Sequence, residues 1–343
     1  MHAIRLHAFG PAANLRYEKT DDPVPGPGQV VIAVAAAGVH LLDTAIREGM
    51  RGPLPEPPEL PTIPGREVAG TVTALGDGVA GEWLGKRVVA HLGFAPGGYA
   101  ELAVADADRL HEIPGRLDYA EAVAMIGTGR TAMGIVQFAE PSAEDVVVIP
   151  AAAGGIGTLL TQYAKHAGAV VVGLAGGPEK VRRVRENGAD LAVDYKEAGW
   201  PEKVREFLRE LPVSPSGQGR AATIVFDGVG GDAGREAVDL LGPGGHHVVF
   251  GWSGKGLHDG GPLTFSEEYL DSRDITSEQV LGPVMMRKAG GVSPIRTLEL
   301  RALAGAAAGR LVPATQRYPL ADAATAHRDL ESRATTGKVV LEP

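Results

Sequence analysis

Three closely spaced glycines in the middle of the chain have the spacing needed to bind a phosphate group. They follow an apolar run at 146–149 and precede an amphipathic segment at 158–166. A strand, a glycine turn and a helix start in this order form a dinucleotide site, because the backbone can approach a pyrophosphate and the helix N-terminus offers free N–H groups. The alternative is an ordinary strand-to-helix turn in an α/β protein. The residues predicted to contact the pyrophosphate are Gly154, Gly155, Ile156 and Gly157.

The composition argues against several kinds of chemistry. The 343 residues include no cysteine, which removes disulfides, thiolate metal ligands and a thiolate nucleophile. A net charge of -9 argues against nucleic acid as the main partner, since phosphate backbones are bound by basic surfaces. No apolar run is long enough to span a membrane, and residues 1–10 lack the apolar core of a secretion signal. We therefore expect a cytoplasmic protein with no membrane contact.

The first third of the chain is predicted to be a β-rich domain. The whole chain is long enough for two domains of about 150 residues each. Glycine and proline interrupt short β-branched runs in this part, which is typical of strands separated by turns. The segment 52–64 holds six prolines and is predicted to be an extended loop that covers a cleft. The predicted strands are 30–37, 67–75, 87–91 and 99–104.

From about residue 120 onward, strands alternate with helices, which predicts a parallel sheet covered on both faces. The predicted domains are 1–125, 126–271 and 272–343, with the last returning to the first, and a surface loop is predicted at 212–219. The predicted strands are 146–149, 170–172, 192–193, 224–226, 248–250 and 338–341, and the predicted helices are 158–166, 178–187, 297–309 and 320–332.

Six motifs spread over nearly the whole chain carry a family resemblance. They are G-V-H-L-L-D at 38–43, P-G-R-E-V-A-G at 64–70, G-G-Y-A-E at 97–101, A-A-A-G-G-I-G at 151–157, V-F-D-G-V-G-G-D at 225–232 and E-S-R-A-T-T-G-K-V-V-L at 331–341. Together they resemble the medium-chain dehydrogenase/reductases, and specifically their zinc-free quinone oxidoreductase branch. The resemblance implies an α/β protein with a GroES-like β-barrel built from both chain ends and a Rossmann doubly wound parallel sheet between them. It also implies a cleft where nicotinamide meets substrate, and a homodimer or larger oligomer.

Zinc has to be considered, because the zinc alcohol dehydrogenases share the implied fold. The resemblance matches His40 and Arg66 to two zinc ligands of those enzymes, and the third is a cysteine, which this chain lacks. His40 and Glu67 alone cannot supply the three protein ligands of a catalytic zinc, and an arginine repels the ion. We therefore predict no metal site.

The end of the second Rossmann strand favours NADP over NAD. NAD proteins usually place an acidic residue there to hold the ribose hydroxyls. Here the segment 173–178 contains no acidic residue, so Gly176 leaves room for a 2′-phosphate, and Lys180 follows at the start of a helix. The resemblance adds Tyr195 and Arg333, which match residues near the same cofactor. The alternative for Lys180 is a solvated position on an arginine-rich helix face. NAD stays open, because relatives often carry Ser or Thr beside the phosphate where this chain has glycine.

The resemblance also implies residues near the nicotinamide. Thr131 matches a threonine beside that ring. Phe250, Gly251 and Ser253 lie at the end of a late strand, at the edge where an open α/β sheet binds its ligand. The alternatives are core packing for Phe250 and turn geometry for Gly251.

Without a metal or a thiolate, the protein can only position the substrate and polarise it. The hydride must therefore come from the cofactor. This favours an activated hydride acceptor, either a quinone or an alkene conjugated to a carbonyl. In such an acceptor the negative charge that arises on hydride transfer spreads onto a distant oxygen, where weak hydrogen-bond donors can stabilise it. His40 is the candidate proton donor, with a packed structural histidine as the alternative. Asp43 either orients His40 or caps a helix at 44–48, which we favour. Arg66 either contacts a cofactor phosphate or pairs with Glu67 or Asp43.

Three functions remain open at this point. The first, which we favour, is an NADPH-dependent reductase of a small quinone or enone. The second is an alcohol dehydrogenase or carbonyl reductase, against which the missing zinc ligands argue. The third is an NADPH-binding module with little catalysis, which the glycine turn does not separate from the first. The segments 52–64 and 279–286 are predicted to shape the substrate pocket.

Overall fold

The structure is a computed structural model that describes residues 1–52, 56–212, 220–255 and 261–343. The chain forms two compact units. The first unit comprises Met1–Arg130, Ala302–Ala308 and Pro313–Pro343, and the second comprises Thr131–Arg301 and Gly309–Val312. Residues 53–55 of the predicted loop 52–64, and residues 213–219 of the predicted loop 212–219, lie outside the described part of the chain.

The N-terminal part of the first unit is built mainly from strands. Its elements are β1 His2–Leu6, β2 Leu15–Lys19, β3 Gln29–Val39, α1 Leu41–Arg47, β4 Glu67–Leu75, β5 Arg87–His91, β6 Leu102–Asp106, β7 His111–Glu112 and α2 Tyr119–Ala124. β1 and β2 form an antiparallel hairpin. β3 is the central strand, since it pairs antiparallel with both β4 and β6. A π-helical turn, Met125–Gly129, follows α2.

The second unit alternates strands and helices. Its elements are α3 Arg130–Val136, β8 Val146–Ile149, α4 Gly155–His166, β9 Val170–Ala175, α5 Pro178–Glu186, β10 Leu191–Asp194, α6 Trp200–Glu210, β11 Ala222–Asp227, α7 Gly231–Val238, β12 Leu241–Val249, α8 Glu267–Arg273, β13 Ile275–Gln279, α9 Pro283–Ala289 and α10 Pro294–Ala307. The first residue of α3 and the end of α10, from Ala302, belong to the first unit. The sheet order is β10-β9-β8-β11-β12-β13, and every pair is parallel. The chain changes direction across the sheet between β8 and β11, and open α/β sheets bind ligands at such a switch point.

The C-terminal segment completes the first unit. Its elements are β14 Thr315–Pro319, α11 Ala323–Glu331 and β15 Lys338–Glu342. β15 pairs parallel with β14 and antiparallel with β3, where Val340 lies opposite Gly38. This pairing places Lys338, at the start of β15, in the same sheet as β3 and β4.

Each unit has its own apolar core. In the first unit, Ile32, Val68 and Leu341 are buried between the strands and the C-terminal helix. In the second, Val148 and Val225 pack beneath helices that cover the parallel sheet. Among the described residues, no helix is long and apolar enough to cross a membrane.

The predicted fold class is confirmed, with a Rossmann-type parallel sheet and a separate β-rich unit. The sequence predicted a return to the first domain after residue 271. The second unit continues to Arg301, because Ile275–Gln279 adds a sixth parallel strand beside β12. The helix predicted at 44–48 instead spans Leu41–Arg47, so that Asp43 lies inside its first turn and His40 is the N-cap.

Candidate active site

The glycine turn after β8 has the backbone geometry that close approach to an anion requires. Gly154 is the N-cap of α4, so the helix N-terminus opens directly after the strand. A methyl group at Gly157 would lie 2.5 Å from the carbonyl oxygen of Ala151, and the turn therefore requires glycine there. The predicted pyrophosphate contacts form one loop at a helix N-terminus, where free N–H groups and the helix dipole favour an anion. They are Gly154, Gly155, Ile156 and Gly157.

The turn after β9 carries the predicted 2′-phosphate contacts. The backbone N–H of Gly177 donates to Asp194 Oδ2 at 2.9 Å, which ties this turn to the end of β10. A methyl group at Gly176 would lie 3.4 Å from the Tyr195 hydroxyl and 2.8 Å from Lys196 Cε, so both side chains reach the turn. Sequence reasoning missed Lys196, although a basic residue directly after Tyr195 was a signal for it.

Lys180 lies in the first turn of α5 and is half-buried. Two neighbouring arginines belong to an exposed, ion-paired helix face. Arg182 pairs with Glu179 at 2.6 Å and with Glu186, and Arg183 lies 3.2 Å from Glu179. These arginines therefore lie on a solvated helix face, which was the alternative considered for Lys180. Lys180 itself stays a predicted phosphate ligand.

The turn after β11 is fixed by a buried carboxylate. Asp227 Oδ1 accepts hydrogen bonds from the backbone N–H groups of Val229 at 2.7 Å and Gly230 at 2.9 Å. Its other oxygen lies 3.3 Å from His247 Nε2, and His247 Nδ1 lies 2.8 Å from Ser277 Oγ. This chain of buried polar contacts holds the turn and gives His247 a structural role.

The residues after β12 pack on that turn. The backbone N–H of Phe250 donates to the Asp227 carbonyl at 2.8 Å, and Ser253 Oγ donates to the Gly228 carbonyl at 2.9 Å. A methyl group at Gly251 would lie 2.9 Å from the same carbonyl oxygen. The turns after β8, β11 and β12 follow adjacent parallel strands and therefore lie at one edge of the sheet.

The two remaining predicted cofactor contacts, Thr131 and Arg333, belong to different units. Thr131 is half-buried in α3 of the second unit. Arg333 follows α11 in the first unit, where it is exposed and has a φ of +59°. In the second unit, Trp252 has a buried indole N–H with no hydrogen-bond partner among the described residues.

In the first unit, His40 is held by two buried, oppositely charged side chains. His40 Nε2 lies 2.6 Å from Glu67 Oε1 and 2.7 Å from Lys338 Nζ. Lys338 Nζ also donates to Glu67 Oε2 at 3.1 Å. The side chains of Glu67 and Lys338 are 1% and 4% exposed, whereas that of His40 is 28% exposed. His40 is thus the accessible member of a buried charged cluster.

Glycines on two sides make room for the Glu67 carboxylate. A methyl group at Gly38 would lie 2.5 Å from Glu67 Oε2. A methyl group at Gly127, in the π-helical turn, would collide with Glu67 Oε1. π-Helical turns are rare and occur frequently at functional sites. The backbone around Glu67 is therefore shaped to admit this carboxylate.

Two opposing effects act on the pKa values of this cluster. Burial disfavours the charged forms of Glu67 and Lys338, and the opposite charge beside each of them favours those forms. Burial alone would raise the pKa of Glu67, but the charges of His40 and Lys338 outweigh it and lower the pKa well below the usual value. Burial lowers the pKa of Lys338, and Glu67 opposes that change. Burial and the nearby Arg130 lower the pKa of His91 to about 3, so this neighbour is neutral at physiological pH.

Asp43 organises the helix that follows His40. The backbone N–H of His40 donates to Asp43 Oδ2 at 2.8 Å, and the imidazole occupies the reciprocal position of a capping box. The Tyr99 hydroxyl donates to the same carboxylate at 3.2 Å and lies 3.3 Å from His327 Nε2. Arg66 NH2 lies 3.7 Å from Asp43 Oδ1. Asp43 acts from inside the first turn, as a partner of His40, and not as the N-cap that we predicted.

Sequence reasoning missed Lys338 and the polar role of Tyr99. Lys338 comes from the opposite end of the chain to His40 and Glu67, and no local spacing indicates that contact. Tyr99 is buried in the β-rich unit, and its hydroxyl also joins the Asp43 network. The motif that ends in G-K-V-V-L contained the only available signal for Lys338.

Two family models match the chain in the order of its units. The alcohol dehydrogenase GroES-like domain matches residues 26–115, and the zinc-binding dehydrogenase model matches residues 155–286. A quinone oxidoreductase of Pseudomonas aeruginosa is 30% identical over 99% of both chains. The chain belongs to the quinone oxidoreductase family of medium-chain dehydrogenase/reductases.

Other family members extend the comparison. A 2-haloacrylate reductase of a Burkholderia species is 30% identical over 99% of this chain and 98% of its own. The crystal structure of Escherichia coli quinone oxidoreductase complexed with NADPH matches all of both chains, with a TM-score of 0.81 and 27% identity. The resemblance predicted from the motifs is thereby confirmed.

Proposed function

We propose that this family member reduces a small quinone or α,β-unsaturated carbonyl compound with NADPH and without a metal. The observation that carries the proposal is the glycine turn after β8, whose Gly157 admits no side chain and whose N-cap opens a helix at the switch point of the sheet. NADPH is present in a related solved structure that shares this fold.

The residues of the second unit fit an NADP cofactor. The turn after β8 would hold the pyrophosphate. No acidic residue ends β9, and Gly176 with Tyr195 and Lys196 would hold the 2′-phosphate, assisted by Lys180. Thr131, Arg333 and the segment 250–253 are proposed as the remaining contacts. When bound, this cofactor supplies the hydride.

The donor set does not fit zinc. The chain has no cysteine, and among the described residues no group of three His, Asp or Glu side chains could hold a metal ion. His40 and Glu67, the two candidate ligands, already contact the Lys338 ammonium, which would repel a metal cation between them. We infer that polarisation of the substrate depends on hydrogen bonds alone.

Without a Lewis acid, a simple ketone is a poor acceptor, whereas a quinone or conjugated alkene spreads the incoming charge onto oxygen. The names of the quinone oxidoreductase and 2-haloacrylate reductase relatives support both acceptor types. We propose that His40 supplies the proton. His40 Nε2 lies 2.6 Å from Glu67 Oε1 and 2.7 Å from Lys338 Nζ, so a charged acceptor and a charged donor both contact the ring nitrogen that would exchange the proton.

The homodimer and the cytoplasmic location stay predictions. The edge strand β13 and four of the exposed apolar side chains described in the second unit support self-association. They are Leu281, Val292, Ile295 and Leu300. Light scattering on the eluting protein during size-exclusion chromatography would show twice the chain mass if the homodimer forms.

The function is tested by following NADPH absorbance with a panel of small quinones and a panel of enones. We expect oxidation of NADPH that depends on both the protein and the acceptor. Tight NADPH binding without turnover on either panel would instead favour the binding-module alternative. Turnover confined to simple ketones would favour the carbonyl reductase.

A further inference from the structure

A cavity of about 410 Å³ lies within the first unit, and Asp43 and Arg66 are among the residues that line it. Its apolar lining includes Leu6, Ile46, Phe94 and Pro96. Ligand sites are typically concave and mostly apolar, with a few placed polar groups, and this volume is near the lower end of their range. The cavity therefore suits a ligand of one or two rings.

Arg66 lines this cavity and has one N–H donor that no described residue uses. Its side chain is 13% exposed, its Nε is buried, and no described residue accepts a hydrogen bond from that atom. Asp43 Oδ1 lies 3.7 Å from NH2, which is beyond hydrogen-bond distance. A buried guanidinium with an unmet N–H is costly, which favours a partner for it.

Hydrogen bonds fix the backbone of Arg66, and this restricts where its guanidinium can lie. Its carbonyl accepts a hydrogen bond from the Leu92 N–H at 2.7 Å, and the preceding Gly65 carbonyl accepts one from Gly98 at 3.0 Å. Gly65 has a φ of +90°, and any side chain there would collide with the Tyr99 ring. Placement by rigid elements is what a preorganised donor requires.

The other charged residues of the cavity indicate the charge of the ligand whose oxygen would accept a hydrogen bond from Arg66. Arg47 forms ion pairs with Glu48 and Glu331 and donates a hydrogen bond to the Gly10 carbonyl. Glu56 and Glu59 line the cavity and are exposed, so its accessible part is acidic and disfavours entry of an anion. The ligand that fits is neutral when it enters and carries negative charge only during reaction.

We propose that Arg66 stabilises the oxyanion that develops on the carbonyl oxygen of a neutral, conjugated substrate seated in this cavity. The inference rests on the proposed function. When the far carbon of a conjugated carbonyl receives the hydride, the double-bond electrons shift and the oxygen gains one negative charge. A proton then completes the product. Arg66 donates to that oxygen most strongly when it is charged, and this lowers the barrier.

The test uses 4-nitrophenol, whose ionised form absorbs visible light, as a stable mimic of the oxyanion. The absorbance of the bound probe is titrated against pH with the full-length wild-type protein and with Arg66→Gln. We expect wild type to lower the pH of half-ionisation by about one unit relative to free probe, and Arg66→Gln to abolish this shift. Arg51→Gln removes an exposed positive charge outside the cavity lining and should leave the shift intact.

Kinetics provide the second measurement. Arg66→Gln should lower kcat for a quinone by about 100-fold, with little change in KM or in NADPH affinity. Arg66→Met also removes the charge, and it replaces Arg66→Gln in both measurements if the latter does not fold. An equal probe shift in wild type and variant, or no binding of the probe to wild type, would overturn the role of Arg66. A normal shift without any quinone or enone turnover would instead overturn the proposed function alone.

Discussion

His40 has its position because two buried charges of opposite sign contact the same ring nitrogen. Glu67 and Lys338 are almost fully buried, and each would be costly without the other. Their contacts leave a quarter of the imidazole accessible while fixing its orientation. A proton donor needs both accessibility and a set orientation, and the cluster provides the two together.

His40→Gln should lower turnover by about 100-fold while leaving the affinity for NADPH unchanged, because a positioned proton donor accelerates the reaction without binding the cofactor. Steady-state kinetics and fluorescence titration with NADPH measure the two quantities. His246→Gln, in β12 of the other unit, is the matched control and should behave as wild type. Unchanged turnover in His40→Gln would make His40 a structural residue.

Lys338→Met should destabilise the first unit by about 3 to 5 kcal/mol, because it leaves the Glu67 carboxylate buried without its partner. Adding Glu67→Gln removes the unpaired charge and should recover much of the loss. Urea unfolding of the two variants makes the comparison. A single variant as stable as wild type would show that Lys338 does not compensate Glu67.

At the scale of elements, Gly154 at the N-cap of α4 and Gly157 in its first turn have different structural needs. A methyl group at Gly157 would lie 2.5 Å from a backbone oxygen, whereas one at Gly154 would lie 3.3 Å from the same atom. We expect Gly157→Ala to lower the thermal midpoint by several degrees, about 1 to 3 kcal/mol in stability, and Gly154→Ala to lower it less. Differential scanning fluorimetry compares them. The reverse order would contradict the described turn.

Elements defined by local patterns were predictable from the sequence, and those defined by distant contacts were not. β4, β5 and β8 have the predicted bounds, because β-branched runs between turns indicate strands directly. β13 was missed because its polar sequence, I-T-S-E-Q, becomes a strand only by pairing with β12. At the site, His40 and Glu67 belong to recognisable motifs. Lys338 joins them through a pairing between the two ends of the chain.

At the scale of the whole molecule, buried histidines link stability to pH. His327 is fully buried between Tyr99 and Arg47, and burial lowers its pKa from 6.5 to about 4. Below pH 6.5 the unfolded chain binds a proton that the folded chain does not bind until about pH 4. The free energy of unfolding therefore falls as the pH is lowered across this window, by about 3 kcal/mol for this residue.

His327→Gln should make the loss of stability between pH 6.5 and 4 less steep, because it removes that proton from the unfolded state. Urea unfolding at several pH values measures the slope. Trp83 is the tryptophan of the first unit, and its fluorescence reports on that unit alone when Trp200 and Trp252 are replaced by phenylalanine. An unchanged slope would show that His327 does not contribute to the pH dependence.

The central claim is that a metal-free chain uses NADPH as its reductant. The most direct measurement compares NADPH and NADH oxidation with one quinone, using protein dialysed against a chelator. We predict undiminished turnover and a kcat/KM for NADPH at least about tenfold above that for NADH, as expected for a charge-assisted phosphate contact. A preference for NADH, or activity that returns only when zinc is added, would contradict the account.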